Sequence, residues 1–142
     1  MTTVLTSVDR PLGVDALLAA SRAGVHRPGP AELVDALERG ALAIDTRTET
    51  QRAEQGELPG ALVIDRTVLE WRLDPCSPDR IPEAVDHDIE VIVVCAQGYS
   101  SSLAAASLRA LGLWRATDLA GGVEAYVAAG FPLTDEPADV RR

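Results

Sequence analysis

The chain is 142 residues long, 46% apolar and 25% charged, the balance of a soluble globular protein with enough residues to bury one core. Its net charge of -9 weighs against nucleic acid and anionic membranes as partners, because both repel an acidic surface. No apolar run approaches the roughly 18 residues of a membrane span, and Met1–Arg10 lacks the apolar stretch of a signal peptide, so a cytoplasmic protein is expected.

Leu12 to Ala23 reads as a short helix with Leu17, Leu18 and several alanines on one side, and Arg27-Pro28-Gly29-Pro30 breaks the chain after it. A second helix is predicted from Ala31 to Arg39, where Leu33, Val34 and Leu37 recur at helical spacing and Gly40 follows as a stop. Ala41 to Asp45 is a short apolar run that suits a buried parallel strand. Polar residues from Arg47 to Glu57 predict a loop and a short helix, and Leu62-Val63-Ile64 a second strand. Thr67 is positioned to cap a short helix through Trp71, and Asp74 to Pro82 is the longest clear loop. Glu90 to Cys95 is the strongest strand signal, dominated by Val and Ile. A helix from Ser101 to Leu111, a strand from Ala116 to Leu119, a Gly121-Gly122 turn and a helix from Val123 to Ala129 complete the pattern. Alternating strands and helices predict an α/β fold: a mostly parallel sheet of about five short strands with helices on both faces. Residues 1–30 are expected to be an N-terminal extension carrying the first helix, and residues 31–142 one domain.

The chain has two cysteines, Cys76 and Cys95, and two histidines, His26 and His87. A reducing compartment disfavours a disulfide, and there is no Cys-x-x-Cys pair or metal-ligand spacing, so no metal site and no cofactor are expected. Cys95 ends the strongest strand and is followed by Ala96, Gln97, Gly98, Tyr99, Ser100 and Ser101, where a helix begins. Ligands of open α/β sheets bind at the C-terminal ends of strands. A loop there can turn its N–H groups inward and, with the helix N-terminus, stabilise a thiolate. No His or Lys adjoins Cys95, so such activation rests on dipoles and serine hydroxyls. The competing reading is a buried cysteine acting as a small hydrophobe.

The segment Cys95-x-x-Gly98-x-Ser100-Ser101 resembles the active-site loop of small single-domain sulfurtransferases of the rhodanese-like family. Ile44-Asp45-Thr46-Arg47 is similar to that family's Asp-x-Arg block, and Gly56 to Ala61 to its Gly-His-Ile-Pro-Gly-Ala block, with Glu57 for the His. Gly121 to Tyr126 with Gly130-Phe131-Pro132 resembles its closing helix, with Tyr126 for Trp. The resemblance covers roughly Ala31 to Leu133. It implies a rhodanese fold and double displacement through a Cys95 persulfide, which residues 96–101 hold. The implied partners are a small-molecule sulfur donor such as thiosulfate and a thiol, cyanide or protein acceptor. The loop departs from the family in carrying no Arg or Lys, which puts a thiosulfate preference in question. Arg72 is then the candidate cation for an anionic donor, against a surface pairing with Glu70 or Asp74. Arg47 is expected to tie Asp45 or Glu49 into the fold, Cys76 to be incidental, and both histidines to be solvated. Two rivals remain. One is a persulfide carrier or regulatory module serving a protein partner. The other is a cysteine phosphatase, which needs Cys-x5-Arg where this chain has Ser101.

Overall fold

A computed structural model describes residues 13–142. The strands are β1 (Leu42–Asp45), β2 (Leu62–Val63), β3 (Val91–Val94), β4 (Ala116–Asp118) and β5 (Asp139–Val140). The helices are α1 (Gly13–Arg22), α2 (Pro30–Glu38), α3 (Glu49–Gln55), α4 (Leu69–Leu73), α5 (Ser100–Ala110) and α6 (Gly122–Ala128). The sheet is parallel at every pairing, in the order β4-β3-β1-β2-β5.

Local chemistry explains most boundaries. Pro30 opens α2 with a ring that needs no hydrogen-bond partner for its nitrogen, and Gly40, at φ +98°, turns the chain out of it. Thr48 caps α3 reciprocally: Gln51 N–H donates to the Thr48 hydroxyl at 3.1 Å, and Thr48 N–H to the Gln51 side chain at 3.0 Å. The expected cap at Thr67 is corrected to Asp65. Its carboxylate accepts both the N–H and the hydroxyl of Thr67, at 2.8 and 2.6 Å, and starts the tight turn Arg66–Val68 that leads into α4.

β3 lies between β4 and β1, and its side chains alternate between two cores. Val91 and Val93 join Leu69, Leu73 and Leu108 on one face; Ile92 and Val94 join Leu33, Leu119 and Tyr126 on the other. A parallel strand covered on both sides needs this unbroken apolar run. On α1, Leu18 is buried whereas Leu17 is exposed, so only one of the expected pair faces inward. This helix lies along α5; Leu12 is outside the described residues. β5 has no counterpart in the expectations. Its two residues are exposed and follow Pro137 closely, and backbone pairing holds it, with Arg141 N–H donating to the Val63 carbonyl at 2.8 Å. Among the described residues no helix is long and apolar enough to cross a membrane.

Candidate functional site at the end of β3

Cys95 follows β3 directly and is buried. Gly98 N–H donates to its sulfur at 3.1 Å, and the Ser101 hydroxyl lies 3.2 Å from the same atom. The loop is turned by what holds its far side. The carbonyls of Cys95 and Ala96 accept the N–H groups of Val123 and Glu124 at 2.9 and 3.0 Å, so carbonyl dipoles that would repel an anionic sulfur are drawn to the start of α6. Two glycines permit the approach. At Gly98, φ is +82° and a Cβ would stand 2.6 Å from the Gly121 nitrogen; at Gly122, φ is +64° and a Cβ would stand 2.5 Å from the Cys95 oxygen. Neither position admits a side chain.

Electrostatics follow from that geometry. Burial pushes the Cys95 thiol up, and hydrogen bonds from the Ser101 and Ser100 side chains and the Ser101 and Gly98 N–H groups together outweigh it, leaving the thiol below its ordinary value. The N-terminal end of α5, which begins at Ser100, adds positive potential of the same sense. The arrangement can hold negative charge on sulfur without a neighbouring cation on the loop.

Behind the loop is a set of residues to which sequence reasoning assigned no role. Asp118, buried at the end of β4, accepts the hydroxyls of Ser101 and Ser102 at 2.7 and 2.9 Å. Its carboxylate also receives Arg27 bidentately, Nε and Nη2 each at 3.0 Å. Arg27 Nη2 and Arg22 Nη2 both donate to the Gly98 carbonyl, at 2.9 and 2.7 Å, and Arg22 Nε donates to Ser102 at 2.8 Å. The segment before α2 thus braces the loop from outside. Ser101 has one proton. While it donates to Asp118 it can only accept from the Cys95 thiol; once the thiol ionises, that hydroxyl can turn to the sulfur and leave Asp118 with Ser102 and Arg27. A polar Asp118 ending an apolar strand was the available signal; nothing marked Arg22 or Arg27.

The expected loop residues do come together. Gly98 and Ser101 are buried, Ala96 is half-buried, and Gln97, Tyr99 and Ser100 are exposed at the rim. Arg72 Nη1 donates to the Asp79 carbonyl at 2.7 Å, and among the described residues no hydrogen bond or ion pair joins it to the loop. Neither alternative partner holds it, since Glu70 pairs with Arg66 and accepts from Ser107. Arg47 and Asp45 form a buried pair at 2.8 Å, and Arg47 also donates to the Gly56 carbonyl, so two of the resembling blocks are one structural unit. Glu57, where the resemblance has His, pairs with Arg52 at 2.8 Å. Two clefts, of about 630 and 600 Å³, are lined by none of residues 95–101; the chemistry of the loop, not cavity size, marks the site.

A parallel α/β sheet presenting a cysteine under inward-turned N–H groups defines a class of domains suited to thiol chemistry. The rhodanese-like domain family matches residues 29–129, and the chain belongs to that family. No match is found among curated proteins. Among solved structures, a Rhodopseudomonas palustris protein of unknown function, a possible tyrosine phosphatase, is similar at 26% identity, with TM-score 0.77, over 94% of this chain and 99% of its own. The human single-domain sulfurtransferase TSTD1 is also 26% identical, with TM-score 0.60, over 74% of this chain and 97% of its own. A thiosulfate sulfurtransferase of Pseudomonas aeruginosa shares the fold at 24% identity and TM-score 0.61, over 82% of this chain and 21% of its own.

Proposed function

We propose that the protein is a sulfurtransferase in which Cys95 carries sulfane sulfur as a persulfide. The observation that carries this is the Gly98 N–H donated to a buried sulfur whose neighbouring carbonyls are held away by α6. The Cys95 thiolate attacks the outer sulfur of a donor such as thiosulfate. The new sulfur–sulfur bond forms as the old one breaks, and sulfite leaves with the electron pair. The persulfide anion lies in the cradle of residues 96–101. Cyanide or a thiolate then takes the terminal sulfur, and Cys95 returns as thiolate. The family and the TSTD1 likeness support sulfur transfer.

The possible-phosphatase neighbour raises one alternative, and the loop opposes it. The sixth residue after Cys95 is Ser101, whose hydroxyl faces Asp118, while Arg22 and Arg27 are bound to the outer side of the loop. Among the described residues no guanidinium fork is presented to a phosphate on the sulfur side. Intact mass after incubation with thiosulfate tests the proposal. One sulfur should add to the wild type and be removed by reductant, and cyanide should turn over. A persulfide that forms but is barely consumed by cyanide points to the carrier role. No mass gain, with Cys95-dependent hydrolysis of p-nitrophenyl phosphate, overturns the assignment.

A further inference from the structure

At the opposite end of α5 from Cys95, a second group of reactive side chains converges. Asp74 and Cys76 come from the irregular segment after α4, and His87 from the segment before β3. One donor atom from each lies within 4.8 Å of the others. Spacing in the sequence gave no sign of a metal site, because the fold brings His87 to a cysteine eleven residues earlier.

The positions are built, not incidental. Asp74 Oδ1 accepts the Cys76 N–H at 2.8 Å, which fixes the two residues relative to each other and leaves the second carboxylate oxygen free to ligate. The rest of the segment is fastened by Arg72 Nη1 to the Asp79 carbonyl at 2.7 Å, Arg80 Nη1 to the Ser77 carbonyl at 2.9 Å and Ile81 N–H to the Arg72 carbonyl at 2.8 Å. The His87 ring lies against Gly112, φ +111°, where a Cβ would stand 3.0 Å from the ring carbon Cδ2. The next residue, Asp88, is held by the Trp114 indole N–H at 2.9 Å and by Arg115 at 3.1 Å. Among the described residues neither ring nitrogen of His87 has a hydrogen-bond partner, and Cys76 is a free, exposed thiol.

We propose that Asp74, Cys76 and His87 form a binding site for a thiophilic divalent cation of the zinc class. A thiolate, an imidazole and a carboxylate match the donor preference of Zn²⁺ and not that of Mg²⁺ or Ca²⁺, which take oxygen. Ligand distances of about 2.0–2.3 Å need the three donors to draw together modestly. Three protein ligands leave a fourth tetrahedral position for water. On binding, the Cys76 thiol releases its proton. α5 has 11 residues, about 16 Å of helix, so the metal sits well away from Cys95. An occupied site masks Cys76 and leaves Cys95 as the free thiol.

Cobalt(II) titration of chelator-treated full-length protein tests this directly. Wild type and Cys95→Ser should each bind one cobalt with a thiolate-to-metal charge-transfer band. The band should vanish in Cys76→Ser, and affinity should fall at least about tenfold in His87→Ala and Asp74→Ala. In wild type, without any variant, Zn²⁺ should block alkylation of Cys76 while sparing Cys95, as peptide mass mapping reports. A band that survives in Cys76→Ser, one lost in Cys95→Ser, or Zn²⁺ that leaves Cys76 alkylation unchanged overturns the site. None of these outcomes depends on sulfur transfer.

Discussion

Cys95 and Cys76 both lie just past the end of a regular element, yet their surroundings differ in kind. Around Cys95 the backbone is aimed at the sulfur. Gly98 N–H donates to it, the nearest carbonyls are bound by α6, and the thiol lies below its ordinary value. Around Cys76 the backbone is turned to its own segment, and its N–H goes to Asp74. The sulfur is exposed beside an imidazole and a carboxylate. Dipoles directed at a buried sulfur stabilise its anion for attack, whereas side-chain donors around an exposed one supply ligands. Cysteine chemistry here depends less on accessibility, which favours Cys76, than on what the neighbouring backbone groups face.

Separate replacement of the two cysteines should break this symmetry most sharply. Cys95→Ser should lower sulfur transfer from thiosulfate to cyanide by roughly a thousandfold or more, as expected for loss of a nucleophile. Cys76→Ser should leave it within about twofold, because that side chain meets solvent and surface changes are near neutral. Equal loss in both, measured by steady-state rates, would assign Cys76 a part in turnover.

The brace behind the Cys95 loop gives the next largest effect. Arg27→Ala strips Asp118 of its bidentate partner in a position where the carboxylate side chain is only 3% exposed. Leaving a buried charge unpaired costs about 3 kcal/mol, to be read from urea unfolding. Arg27→Lys should recover little, since an ammonium cannot fork between both oxygens and the Gly98 carbonyl. A loss under about 1 kcal/mol would mean that Ser101 and Ser102 suffice for Asp118.

Legibility in the sequence followed the same division. β3 and its cysteine were plain, because a strand buried on both faces must be an apolar run. The resembling blocks found their reason in contact: Arg47 bonds Gly56, and Gly98 and Gly122 fit against the turn and the loop they face. β5 was not legible, since backbone pairing of two exposed residues leaves no pattern in side chains. Arg22 and Arg27 were not legible either. Their partners are a carbonyl and a carboxylate up to 91 residues away along the chain, and an arginine in a sequence carries no mark of what it will meet.

Ser101 sharpens the comparison at the level of acidity. Its replacement by Ala removes a hydrogen bond that lowers the Cys95 thiol, so the midpoint of the iodoacetamide alkylation profile should move upward. The wild-type midpoint should lie below the free-thiol value of about 8.5. With the folded thiol lowered, the thiolate's contribution to folding is full above about 8.5 and is lost as pH falls through the folded value. Ser101→Ala should narrow that window. An unmoved midpoint would leave Ser100 and the N–H groups as the whole of the cradle.

Arg72 should give the smallest effect. The loop carries no cation for an anionic donor, and by sequence Arg72 is the candidate to supply one. In the fold its guanidinium donates to the Asp79 carbonyl, helping to hold the segment that carries Asp74 and Cys76, on the Cys76 side of the comparison. The donor's negative charge then falls to the loop's N–H groups and the start of α5, with Arg22 and Arg27 polarising the Gly98 peptide from outside. Arg72→Ala should therefore change the KM for thiosulfate by less than about twofold, the scale of a contact worth well under 1 kcal/mol. Its loss should show instead in unfolding, by about 1 kcal/mol for one solvent-exposed hydrogen bond. A charge-assisted contact with the donor is worth roughly 1.5–3 kcal/mol, or about ten- to a hundredfold. A KM rise of that size, with persulfide transfer to cyanide unchanged, would move Arg72 to the Cys95 side and make the anion site more than the loop.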